Sequence, residues 1–156
     1  MTSDSNATSA SKSLSTPPTA QEDIEESLFF QPRFSSDGLI PVIVTDHATN
    51  AVLMFAWMNE CALCRTLSTN QVHFWSRSRK RLWRKGEASG NFLSVEEIRT
   101  DCDQDVIWVR ASVAGPGVAC HTGRSTCFYR RIEKLTSASG PRALGAQLVF
   151  DLPRLK

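Results

Sequence analysis

Beyond residue 38 the chain consists of short apolar runs separated by polar turns, and the spacing within each run predicts an element. After the turn signal Asp37-Gly38, LIPVIVTD is rich in β-branched residues, is bounded by Pro41 and Asp46, and reads as a strand. Residues 47–50 supply a second turn, and AVLMFAWM (51–58) reads as the hairpin partner. Both runs are nearly continuous in apolar residues, which predicts a sheet covered on both faces. Asn59 is a good N-cap for a helix over 60–67, with Leu63 and Leu67 spaced for one buried face and Asn70 closing it. QVHFWSRS (71–78) alternates and carries aromatics, so it predicts a strand. A short strand over 80–83 and a glycine-containing turn over 85–91 follow, then strands over 92–100, 106–113 and 126–133. The pattern predicts an α+β fold, a mixed or antiparallel sheet folded on itself with one main helix.

The ends of the chain read differently. The first twenty residues contain ten Ser or Thr, no aromatic residue and no Arg, which predicts a disordered tail and argues against a signal or transit peptide. QEDIEESLFF (21–30) predicts a short helix stopped by Pro32, ahead of a folded body from Phe34. Beyond residue 133 the chain carries Ser-Ala-Ser-Gly-Pro and one apolar patch, LVF, and is weakly specified. The expected organisation is a tail and short helix over 1–33, one domain over 34–133 and an extension over 134–156. At 156 residues, with 41% hydrophobic and 22% charged residues, this is a single domain of ordinary globular composition. Five cysteines without a secretory segment argue for free thiols in a reducing compartment, so the expected location is cytoplasmic. No apolar run reaches the length of a membrane span.

The chemistry concentrates in TDCDQDVIWVRASVAGPGVACHTGRSTCF, which holds Cys102, Cys120, Cys127, three aspartates and His121. Three thiolates with one open position suit a catalytic zinc, although cysteines are also common small core residues. Asp101, Asp103 and Asp105 are hard oxygen donors suited to magnesium; a solvated acidic turn is the plain alternative. In an extended segment the three would share one face and Cys102 the other, with Asp101 and Asp105 about 13 Å apart. That is too far for one ion, so either the backbone bends or only some of the three are ligands. His121 suits a fourth ligand, a general acid or base, or a structural hydrogen bond. FWSRSRKRLWRKGEASGN places six basic residues among the nine from 77 to 85, flanked by Trp75 and Trp83. It suits a nucleic-acid surface, a pocket for a nucleotide with several phosphates, or a solvated hairpin. Cys61-Ala62-Leu63-Cys64 has CxxC spacing without a second ligand pair and reads as packing. A zinc deaminase is excluded, because none of His47, His73 or His121 has a Glu two residues on.

The run FWSRSRKRLWRKGEASGN, then DCDQD, then ACHTGRSTCFYR, with GLIPVIV and VLMFAWMNE upstream, closely resembles the phosphoribosyl-AMP cyclohydrolases of histidine biosynthesis. The resemblance covers roughly residues 34–131. It implies a metal-dependent hydrolase that opens the N1–C6 bond of the adenine ring in N1-(5-phosphoribosyl)-AMP. It implies zinc and magnesium as cofactors and a homodimer with active sites at the subunit interface. It further implies Cys102, Cys120 and Cys127 as zinc ligands, Cys102 coming from the partner, and Asp101, Asp103 and Asp105 as magnesium ligands. Zinc-activated water would attack C6 with His121 relaying the proton. Trp75 or Trp83 would hold the purine, and Arg77, Arg79, Lys85 and Ser89 the phosphates. Cys61 and Cys64 depart from the charged or small residues expected of the family there. Two rival readings fit the same residues, a zinc-stabilised nucleic-acid-binding module using residues 77–85 and a silent dimer with a structural zinc.

Overall fold

The computed structural model describes residues 24–132 and 148–155. The Ser/Thr-rich tail and most of the C-terminal extension lie outside them. Among the described residues eight strands and one long helix follow in order: β1 (Ile40–Asp46), β2 (Val52–Met58), α1 (Glu60–Thr69), β3 (His73–Ser76), β4 (Arg81–Arg84), β5 (Leu93–Thr100), β6 (Ile107–Val113), β7 (Arg130–Ile132) and β8 (Leu148–Phe150). The fold is α+β with a mixed sheet.

The main sheet runs β2-β1-β6-β5. The expected β1–β2 hairpin is antiparallel, with Ile40 opposite Met58 and Ile43 opposite Phe55. β1 then pairs β6 in parallel, and β6 pairs β5 antiparallel. The inner face of this sheet carries Ile40, Val42, Val44, Ile107 and Val109, all fully buried. Helix α1 and the β3–β4 hairpin cover it through Ala62, Leu63 and Phe74. The outer face contradicts the expectation of cover on both sides. Ile43 and Phe55, opposite each other, are 38% and 48% exposed. Phe55 packs edge-on against Trp57 (centroids 5.5 Å), but among the described residues no element covers this face.

Asn59 caps α1 as expected, its Oδ1 accepting the Ala62 amide at 2.9 Å, and Asn70 ends it in the left-handed region at φ 54°. The buried stripe is displaced from the expected one. Thr66 is fully buried, donates its hydroxyl to Ala62 O (2.8 Å) and accepts the His73 amide (3.0 Å). These bonds turn the Ala62–Leu63–Thr66 edge inward and leave Leu67 48% exposed. Cys61 and Cys64, expected as packing, are also exposed, because they flank the buried pair Ala62-Leu63 on the solvent side.

Three further expectations change. Of the helix over 21–30, the described residues keep one turn, closed by the Ser27 amide on Ile24 O (3.2 Å). Ser27 Oγ then accepts the Phe29 amide (3.0 Å), which competes with helix continuation. The strand expected over 126–133 begins only at Arg130. Thr126 instead donates its hydroxyl to Val52 O (2.6 Å), and the Cys127 amide donates to Leu53 O (2.7 Å), fastening this segment to β2. The apolar patch LVF, for which no element was predicted, forms β8 against β7.

Candidate functional site

The acidic triplet occupies a tight turn between β5 and β6. Gln104 takes the left-handed conformation at φ 60°, and its amide donates to Asp101 O (3.3 Å). Asp101 Oδ1 accepts two amides, from Asp105 and Val106, both at 3.0 Å. The segment is therefore bent rather than extended, and the straight-strand separation of Asp101 and Asp105 is overturned. One oxygen from each of Asp101, Asp103 and Asp105 lies within 4.8 Å of the others. The alternation that set Cys102 opposite the aspartates falls with the extended geometry; Cys102 is exposed on the same turn. Local desolvation, then the charges of Asp103 and Asp101, push the Asp105 carboxyl above its ordinary range. Arg33 answers part of this charge, with Nη1 3.2 Å from Asp103 Oδ2.

Gln104 is the hub of this turn and was not anticipated. It is buried; its Nε2 donates to Phe29 O (3.0 Å), its Oε1 accepts the Gln31 amide (2.7 Å), and its carbonyl accepts the Arg33 amide (2.7 Å). The sequence carries no signal for it, since glutamine is not among the residue types enriched in the left-handed region.

The second cluster is the loop from Cys120 to Cys127. The Cys120 amide donates to Arg124 O (2.9 Å) and the Gly123 amide to Cys120 O (3.1 Å), which folds the loop back on itself. Cys120 is buried, and its sulfur lies 3.1 Å from Thr122 Oγ1. Burial pushes this thiol up, but hydrogen bonds from Thr122 and Cys127 and the Arg124 charge hold it below the ordinary value. Loss of water around the Cys127 sulfur, then the Cys120 charge and hydrogen bond, push Cys127 up. The two thiols are thus near enough for each to bear on the other's ionisation. Lys85 faces the same pair. Burial pulls its ammonium down while Cys127 and Cys120 pull it back up. Lys85 is buried, whereas Arg77 and Arg79 are exposed.

Arg124 holds this loop from behind. Its guanidinium stacks 4.0 Å from the Tyr129 ring and 5.2 Å from Phe150, and its Nε donates to Leu152 O (3.1 Å). The Leu155 amide donates to Gly123 O (2.8 Å). The C-terminal segment around β8 therefore clasps the cysteine loop. His121 is exposed immediately after Cys120. Cys102 does not join the pair: among the described residues the acidic triplet is the one group of three or more potential ligands.

The basic segment is the β3–β4 hairpin and the loop after it. Arg77 and Arg79 are exposed, with Arg77 stacked 4.9 Å over Trp57. Trp83 packs against Phe74 (centroids 5.0 Å), so much of its face is spent on the core; Trp75 is half-buried opposite Leu82. Ser89 is exposed in the loop that Gly86 starts. At Gly86 φ is 92° and a Cβ would come within 2.5 Å of Phe92 N, so only glycine lets the two ends of this loop close. An open pocket of about 370 Å³ adjoins the hairpin, lined by Arg65, His73, Trp83 and Arg84 among others.

The family model for phosphoribosyl-AMP cyclohydrolase matches residues 54–129, a span from β2 through the cysteine loop. A phosphoribosyl-AMP cyclohydrolase of Brucella canis is 54% identical over 127 residues, covering 81% of this chain and 89% of the relative. One from Sinorhizobium medicae is 54% identical over 119 residues, covering 76% and 79%. One from Brucella anthropi is 55% identical over 115 residues, covering 74% and 82%. With more than half of the aligned residues identical to relatives that are themselves covered over 79–89% of their length, this chain belongs to the phosphoribosyl-AMP cyclohydrolase family.

Proposed function

We propose that this chain hydrolyses the N1–C6 bond of the adenine ring in N1-(5-phosphoribosyl)-AMP, giving the ring-opened formimino-carboxamide in histidine biosynthesis. Family membership supports the activity. The observation that carries the mechanism is the meeting of Cys120 and Cys127 while Cys102 stays on the acidic turn. Two neighbouring thiols on a loop tied to β2 supply two soft donors, and zinc prefers three protein ligands and one open position for catalysis. The third thiolate is then Cys102 of a second copy. The uncovered Ile43 and Phe55 on the outer sheet face support a homodimer.

Zinc held by the three cysteines would supply a water acidic enough to attack C6 near neutral pH. The chain's own residues do the remaining work. Thr122 fixes the Cys120 sulfur, and Lys85 offsets negative charge on the pair. His121, exposed beside Cys120, takes the proton from the attacking water and returns it to the departing ring nitrogen. Arg77, Arg79 and Ser89 bind phosphate, and Trp75 stacks on the purine. The converged carboxylates of Asp101, Asp103 and Asp105 fit a magnesium ion, which prefers oxygen donors and retains several waters.

Ring opening alters the purine chromophore, so ultraviolet absorbance with the phosphoribosylated nucleotide reads the activity directly. Metal analysis on the same sample should give about one zinc per chain. An unchanged spectrum together with tight, salt-sensitive binding of single-stranded nucleic acid would replace this reading with a binding module. His121→Ala should reduce turnover and leave the zinc content unchanged; loss of zinc would make His121 a ligand instead.

A further inference from the structure

The family's chemistry leaves one pair of nucleophiles unused. Cys61 and Cys64 both lie in the first half of α1, both are exposed, and both are free thiols. A free cysteine is ordinarily a buried residue, and here two stand in solvent one helical turn apart. They flank Ala62 and Leu63, which are buried against the core, so the helix is held in place with this edge outward. Residues three apart share a helix face, and helical geometry sets their Cα atoms about 5 Å apart, inside the range a disulfide spans.

We propose that Cys61 and Cys64 form a redox-active dithiol that closes to an intrahelical disulfide by exchange with a small-molecule disulfide. One cysteine thiolate attacks the small molecule, forms a mixed disulfide and releases one thiol. The second cysteine then attacks the protein sulfur of that mixed disulfide and releases the other thiol. The protein loses two hydrogens and two electrons, and the small disulfide gains both as two thiols. Side chains three apart on a helix start with their Cβ atoms somewhat wider than a relaxed disulfide holds them, so closure needs a local backbone adjustment. The position permits it. The Ala62 amide is bonded to the Asn59 side chain, so this turn begins on a cap rather than on a full ladder of helical bonds. The resulting bond is strained and reopens readily, which is the behaviour of a regulatory rather than a structural disulfide.

The test is oxidation of the full-length, metal-loaded protein with excess oxidised glutathione, followed by tryptic mapping without reduction. Cleavage after Arg33 and Arg65 leaves Cys61 and Cys64 in a single peptide, whereas Cys102, Cys120 and Cys127 fall in three others. The expected result is loss of two hydrogens within the 34–65 peptide, with the closed form exceeding any glutathione adduct there by about tenfold. Brief treatment with dithiothreitol should restore the dithiol. Cys61→Ser and Cys64→Ser should each stop at a stable mixed disulfide on the remaining cysteine. A persistent glutathione adduct on the wild-type peptide would overturn the proposal. So would an unmodified 34–65 peptide, or a disulfide linking the Cys120 and Cys127 peptides in its place.

Discussion

The acidic turn and the cysteine loop are the two candidate metal centres, and they are built on opposite plans. The turn is local. Five consecutive residues suffice, because Asp101 spends one carboxylate oxygen on two amides and Gln104 supplies the left-handed step that brings the other aspartates around. The cysteine loop is assembled from afar. Cys120 and Cys127 come together on a segment fastened to β2, clasped by residues 150–155 and faced by Lys85 from beyond β4. A magnesium site can be carried by a turn because the ion keeps several of its waters and needs only one or two carboxylates, whereas a soft catalytic site needs fixed sulfurs and supporting contacts around them.

The largest expected effect separates the two plans at the level of the dimer. Cys102→Ser and Cys120→Ser should each abolish turnover, yet mixing and re-annealing the two variants should restore about a quarter of wild-type activity, since a symmetric shared site leaves one intact centre in each mixed dimer. No recovery would mean that each chain builds its site alone. Next in size is the clasp. Ending the chain at residue 147, or changing Arg124 to Ala, should weaken zinc binding by roughly 10- to 100-fold, as loss of supporting contacts around a metal site does, with magnesium affinity unchanged. Equal loss of both metals would show general unfolding and break the contrast. Asp103→Asn should do the reverse, lowering magnesium affinity by about tenfold with zinc retained, for one charge removed from a three-carboxylate site. The smallest effect is on pH. Asp105 has a carboxyl raised above 3.8, so its contribution to stability is fully present below that value and is lost as pH rises through the folded-state value. Asp105→Asn should therefore slightly raise the melting temperature of metal-free protein at neutral pH and do nothing at pH 3, as read by calorimetry. A fall at neutral pH would show that the three carboxylates are not in conflict.

What was legible in the sequence was what neighbours in the chain decide. The β1–β2 hairpin, the Asn59 cap and the Asn70 stop follow from local pattern and local hydrogen bonding. For the acidic turn the sequence leaves a bend and a partial ligand set equally open, because periodicity assumes an extended backbone; a single aspartate capping two amides supplies the bend. Leu67 was misplaced because Thr66, a polar residue, finds partners in Ala62 and His73 and takes the inward position. Lys85 was grouped with an exposed charge run, although the backbone turns at Gly86 and carries it under the loop. β8 has no local signal, because three apolar residues acquire meaning only from β7 and the ring of Tyr129, which stacks on Phe150 at 6.0 Å.

Gln104 has a consequence for how this end of the molecule breathes. The amides of Gln31 and Arg33 find their acceptors on one residue, and that residue also sets the bend of the acidic turn. They cannot open independently of it. In hydrogen exchange these two amides should behave as one cooperative unit with those of Asp105 and Val106, distinct from the residues before Phe29. A divalent cation seated among the aspartates would then slow exchange at positions some seventy residues away in sequence, by the separation of Gln31 from Gln104. A segment joined to the turn through the Arg33–Asp103 ion pair would thereby report on whether the turn is filled.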